Sequence, residues 1–176
     1  MENTILHTCS FFGHREIAET EELNAKIFDE IENLILNNGV DTFLFGSRSM
    51  FDVMCYKAVT KLREKYPHIK RVYVRAEFPS IGLDYEKYLL KRYEYTYYPQ
   101  KIINAGRAVY VERNREMIDN SGFCIFYYDE NYMPQKGISK RYITKSKVKS
   151  GTGIAYEYAK SKNHIIKNLA IDFNHS

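Results

Sequence analysis

Cysteine is scarce in this 176-residue chain: Cys9, Cys55 and Cys124 are odd in number, stand in apolar segments and never approach the CxxC spacing of a zinc or thiol-redox site. That argues against a disulfide framework and fits a reduced, cytoplasmic setting. Long hydrophobic runs are missing too. Although 44% of the residues are hydrophobic, none of their runs nears the roughly 20 residues that cross a bilayer. The opening MENTILHTCSFF lacks a basic n-region ahead of a long apolar stretch, so neither export nor a membrane is expected. The five histidines are scattered, and no spacing recommends a Ser/His/Asp triad or a metal-ligand cluster, so neither a metal nor a cofactor is expected. Acid is missing from one segment only. Between Asn131 and Tyr156 the chain carries Lys136, Lys140, Arg141, Lys145, Lys147 and Lys149 and no carboxylate; these six cations, against a total of +4, leave the rest of the chain at −2. This is one local basic loop, either solvated or facing an anion, and not the general basic coat of a nucleic-acid binder.

What is present alternates between strand and helix signals. Ile5 to Phe12 is an apolar run ending in Gly13-His14-Arg15, followed by a helix with Glu19, Glu21 and Glu22 at its start, Leu23, Ile27, Ile31 and Leu34 at helical spacing, and Asn38-Gly39 as its stop. Val40 to Phe45 is a second strand; after Gly46-Ser47-Arg48-Ser49 comes a helix with Phe51, Cys55, Ala58 or Val59, and Leu62 on its apolar face, ending at Pro67. Arg71 to Ala76 reads as a third strand. The stretch from Glu77 to Ala105 is irregular, with a short helix over Asp84 to Arg92 and tyrosines 93, 95, 97 and 98. A helix over Arg107 to Asn120, a strand over Phe123 to Tyr128, a helix from Ser150 to about Lys160 and a strand over His164 to Leu169 complete the pattern. Such alternation predicts a single α/β domain over residues 1–176, a Rossmann-like three-layer fold with a mostly parallel five-stranded sheet in the order 3-2-1-4-5. Ligands of such sheets sit beyond the carboxyl ends of the strands, where strand order reverses.

Three strand-end loops suit a phosphate there. Ser150-Gly151-Thr152-Gly153 opens a helix whose first N–H groups favour an anion, with Thr152 adding a hydroxyl; the same letters also spell an ordinary N-cap. Gly13 permits a sharp turn beneath a ligand, His14 is a structural or catalytic histidine, and Arg15 can pair with phosphate. Gly46, Ser47 and Arg48 repeat the logic after the second strand, with Asp52 placed to accept from a ribose hydroxyl. Arg113 shares a helical face with Met117, and Glu157 is the acid expected to meet it.

Taken together, FFGHRE (11–16), FGSRSMFD (45–52), YVERNREMIDNS (110–121) and SGTGIAYEYA (150–159) resemble the SLOG superfamily of Rossmann-like proteins, which includes YpsA-like proteins, the LOG phosphoribohydrolases and the Smf/DprA group. The resemblance covers nearly the whole chain. It implies a nucleotide-binding fold and a homo-oligomer, dimer or tetramer, and it sets Arg113 at the catalytic arginine of LOG enzymes. Asn114 stands where those enzymes carry lysine, and Glu157 follows Thr152 by five residues, farther than in the LOG motif. The leading expectation is therefore a sensor or sequestering module for a phosphate-bearing nucleotide derivative, ADP-ribose-like or a signalling nucleotide. Second is a LOG-like hydrolase of the N-glycosidic bond of a nucleoside monophosphate, with Arg113 and Glu157 as its catalytic pair. Third is single-stranded nucleic-acid binding through the basic loop with Tyr142 stacking, which the confinement of charge to one loop disfavours.

Overall fold

A computed structural model of the chain describes residues 5–132, 150–162 and 164–170. Six strands form one all-parallel sheet: β1 (Thr8–Gly13), β2 (Thr42–Phe45), β3 (Lys70–Val74), β4 (Tyr95–Tyr97), β5 (Phe123–Tyr127) and β6 (Ile165–Asn168), in the order β4-β3-β2-β1-β5-β6. The five expected strands keep their expected order. The sixth, β4, is added at one edge from within the stretch read as irregular. Its three residues are half-buried or exposed, so they leave no apolar run in the sequence. What fixes it lies outside it: Glu94, just before β4, takes the Arg71 guanidinium at 2.7 Å and the Arg63 guanidinium at 2.9 Å.

Helices α1 (Glu21–Asn38), α2 (Met50–Lys65) and α3 (Leu83–Leu90) cover one face of the sheet; α4 (Val109–Asp119) and α5 (Gly151–Ser161) cover the other. The two-residue alternation of a strand decides which side chain meets which layer. From β1, Cys9 and Phe11 join Leu23, Ile27 and Ile31 of α1 and Phe51, Cys55 and Leu62 of α2, whereas Phe12 joins Met117 and Ile118 of α4 and Ala155 and Ala159 of α5. The three cysteines are buried free thiols. No helix among the described residues is long and apolar enough to cross a membrane.

Local chemistry sets the helix ends. Thr20 caps α1 by accepting from the Leu23 N–H at 3.1 Å, and Gly39 ends it in the left-handed region at φ 65°, where a side chain is disfavoured. Ser49 caps α2, accepting from the Asp52 N–H at 3.1 Å. Glu19, expected in the first turn of α1, lies ahead of the cap and pairs with Lys57 on α2.

Candidate functional site

All the strand-end loops lie on one edge of the sheet because every strand is parallel. From the β6 side inward, Gly153 abuts the Tyr128 ring, Tyr128 packs near His14, Gly13 abuts Phe51, and Phe51 precedes Asp52 on α2. The loops share this edge, with Ser47, Arg48 and Asp52 lining a cavity whose described lining does not include Gly13, His14, Arg15 or Ser150 to Gly153. A Cβ on Gly13 would overlap Phe51, and one on Gly46 would lie 2.6 Å from Arg113 Nη1 and 2.7 Å from Met117 Sδ. These two glycines admit neighbouring side chains, which is a packing reason for glycine independent of any phosphate. Gly153 is held by Tyr128, 3.1 Å from where its Cβ would be, and its N–H is taken by Ser150 Oγ at 3.0 Å. Gly151 is exposed with open space around it, and Thr152 is half-buried.

His14 is a clasp between strands. It is 2% exposed, stacks on Tyr132 with ring centroids 3.9 Å apart, and its Nε2 lies 3.0 Å from both the backbone N and O of Asp129. Burial holds its pKa below the ordinary value of 6.5, and Nε2 accepts from the Asp129 N–H in one tautomer and donates to the Asp129 carbonyl in the other. Arg15 is exposed, and its carbonyl accepts from the Met50 N–H at 2.9 Å.

Among the described residues, two of the cavities open on this edge. The smaller, about 270 Å³, lies between Tyr128, Tyr156 and Asn168, and its described lining includes Asp129 and Glu130. The larger, about 390 Å³, lies between α2 and α3 beyond the ends of β2 and β3. Ser47, Arg48 and Asp52 line it, as the loop after β2 led one to expect. Its walls are aromatic: Tyr56 from α2, Tyr73 from β3, Tyr85 and Tyr88 from α3, and Tyr93. Arg92 stacks over Tyr56 at 5.4 Å and donates to the Tyr88 hydroxyl at 3.2 Å, while Tyr73, then Glu77 and Tyr85, raise the Arg48 pKa above its ordinary value.

Asp52 forms the floor. It is 4% exposed, and its Oδ1 has no hydrogen-bond partner among the described residues. Burial pushes the carboxyl up to about 8, opposed by the charge of Arg113 and by the Ser47 backbone N–H. Arg113, 3% exposed, lies behind it, with Nη1 donating to the carbonyls of Gly46 and Val74 and Nε donating to Asn114 Oδ1. Burial lowers the Arg113 pKa, and Asp52 is the foremost charge resisting this.

The acid whose charge acts most on Arg113 is Asp52, and Glu157, expected to meet Arg113, is not among the partners its guanidinium makes here, which are Asn114 and the carbonyls of Gly46 and Val74. Glu157 lies on the outer side of α5, 49% exposed and 3.8 Å from Lys160 Nζ. The residue count explains this: Ala155 and Ala159 are buried against the sheet, and Glu157, two residues from each, is turned to the opposite side of the helix. Sequence reasoning missed Tyr56, Tyr73, Tyr85, Tyr88 and Arg92 as lining residues, since each alone reads as an ordinary packing or surface residue. The density of tyrosine between positions 85 and 98 was the available signal. The basic segment from Lys136 to Lys149, with Tyr142, lies outside the described residues. The described residues hold no group of three His, Cys, Asp or Glu side chains able to bind a metal ion. No model of a known protein family matches the sequence, and no curated protein matches it.

Proposed function

We propose that this protein binds a phosphate-bearing nucleotide derivative at the carboxyl edge of its sheet, as a sensor or sequestering module, and that the ligand occupies the cavity between α2 and α3. The observation that carries this reading is the composition of that cavity: five tyrosines, two arginines and one buried carboxylic acid around about 390 Å³. Small-molecule sites commonly span about 300–1,000 Å³ and combine apolar walls with a few convergent polar groups. Tyrosine rings offer faces on which a base stacks. Arg48 and Arg92 offer planar donors matched to phosphate oxygens. Binding without hydrolysis is favoured because Glu157, the acid a LOG-like mechanism would need, does not meet Arg113.

A thermal-shift screen of nucleoside monophosphates, ADP-ribose and cyclic dinucleotides tests the proposal, since a ligand bound only by the folded state raises the melting temperature. At least one should do so, and the shift should vanish in the Arg48→Ala, Arg92→Ala double variant. A shift that survives that substitution, or none with any member, overturns the assignment.

A further inference from the structure

The two helices that wall the larger cavity are anchored unequally. α2 runs for 16 residues and buries Phe51, Met54, Cys55, Val59 and Leu62, whereas α3 runs for eight and buries Leu89 alone, with Tyr85 half-buried against the same core. Leu83, Tyr88 and Leu90 of α3 are 72%, 52% and 49% exposed. A helix shorter than about 12–15 residues is marginal in water unless tertiary packing holds its apolar face, and one buried leucine packs little of it. Neither end of α3 compensates. At the front, Gly82 makes no side-chain cap bond, and nothing lies within 4 Å of where its Cβ would be. At the back, the Tyr56 hydroxyl donates to the Arg92 carbonyl at 2.8 Å and Arg92 donates to the Tyr88 hydroxyl at 3.2 Å, two exposed bonds for which water competes.

Resting on the nucleotide reading above, we propose that α3 is a hinged wall, which opens locally in the free protein by swinging at Gly82 and at the turn after Leu90, and closes on the bound ligand. The opposite sides of the cavity have separate sources: Tyr85 and Tyr88 come from α3, while Ser47, Arg48 and Tyr56 come from the loop after β2 and from α2. A ligand between them completes its contacts only when α3 is docked, so it binds the closed state better and shifts the population toward it. Segments with few buried apolar contacts and exposed hydrogen bonds open at lower cost than the core, and elements that close over ligands are drawn from them. In a sensor this ordering is the signal. Ligand arrival fixes the surface that carries Leu83, Tyr88 and Leu90 and leaves the sheet as it was.

Hydrogen exchange of the full chain, followed by mass spectrometry, tests this. Without ligand, the amides of Lys87 to Leu90 should exchange at least about tenfold faster than those of Ile27 to Ile31 on α1, after correction for intrinsic rates. Gly82→Asp supplies the missing cap and takes a glycine's freedom from the open state, so it should slow exchange in α3 by about threefold and leave α1 unchanged. AMP and ADP-ribose are then added in turn. Whichever raises the melting temperature should, at about ten times its Kd, slow exchange in α3 about tenfold, because α3 can then open only when the ligand leaves. Equal exchange in α3 and α1 of the free protein, no slowing in a folded Gly82→Asp protein, or a nucleotide that raises the melting temperature without slowing α3 overturns the hinged wall while leaving nucleotide binding intact. Failure of every nucleotide to bind overturns the nucleotide reading and the closing of α3 upon it, whatever the free protein's exchange.

Discussion

Replacing Gly46 with alanine tests whether Arg113 is a keystone of the sheet edge. The Gly46 backbone is outside the left-handed region, so the substitution introduces no φ strain. Its effect is steric: the new Cβ would sit 2.6 Å from Arg113 Nη1 and 2.7 Å from Met117 Sδ. Met117 can pivot, since its side chain is flexible. Arg113 can move only by giving up the carbonyls of Gly46 and Val74 that Nη1 now serves. Overpacking a core costs about 1–3 kcal/mol and a lost hydrogen bond to a charged group about 1.5–3 kcal/mol, so we expect Gly46→Ala to lose about 3–5 kcal/mol. Arg113→Ala should lose a similar amount, because it leaves the same carbonyls without their donor. With the guanidinium gone, however, the alanine methyl enters vacated space. The double variant should therefore be more stable than the sum of the single effects by about 2–4 kcal/mol. Urea unfolding of all four proteins gives these energies from the midpoint at unchanged m. Additivity within about 0.5 kcal/mol would mean that the two residues do not share this space, and the argument would fail.

Two other glycines should behave oppositely. Gly13→Ala overlaps the root of the Phe51 side chain and should cost about 3 kcal/mol, while Gly151→Ala, which meets nothing, should change stability by less than about 0.5 kcal/mol in the same assay. The Asp52 carboxyl has a folded pKa of about 8 against an ordinary 3.8, so between those values the folded state holds the extra proton and stability falls as pH rises. That slope approaches about 1.4 kcal/mol per pH unit and should disappear in Asp52→Asn; a wild-type profile flat from pH 4 to 8 contradicts it. The His14 pKa is depressed below 6.5 by burial, so its contribution is full above 6.5 and is lost as pH falls toward the folded value. His14→Gln should remove this part of the acid sensitivity, read from melting temperatures at descending pH.

Periodicity revealed most of the architecture. Leu23, Ile27, Ile31 and Leu34 recur with the helical repeat and are all buried on α1, and the continuous apolar run at Phe123 marks a strand covered on both faces. β4 was illegible because the contacts that place it belong to Arg71 and Glu94, distant partners that no local pattern links. In the site, the loop after β2 was legible, since Ser47, Arg48 and Asp52 are contiguous with a strand end. The tyrosine walls were not, because they come from α2, β3, α3 and the approach to β4, four places joined only by folding. Arg113 shows a further limit: its helical position marked it as inward-facing, but its neighbour depends on how α4 and α2 meet across the sheet edge.

The strand order also governs how this chain can be assembled on the ribosome. β1 is interior, pairing with β2 on one side and β5 on the other, and the second pairing joins Cys9 to Phe123. The β5-facing edge of β1 thus waits through the synthesis of four helices, α1 to α4, and three strands, β2 to β4, before its partner emerges. Meanwhile β1 to β4 can gather α1, α2 and α3 on one face, because all those elements precede residue 98. Phe12, Leu44, Val72 and Val74 point the other way and stay uncovered until α4 and then α5 arrive. Long-range parallel pairing of this kind slows folding and prolongs exposure of apolar surface. A nascent chain halted near residue 100 should therefore carry a half-covered sheet, a species that a chaperone recognising apolar surface would retain and that the completed chain would release.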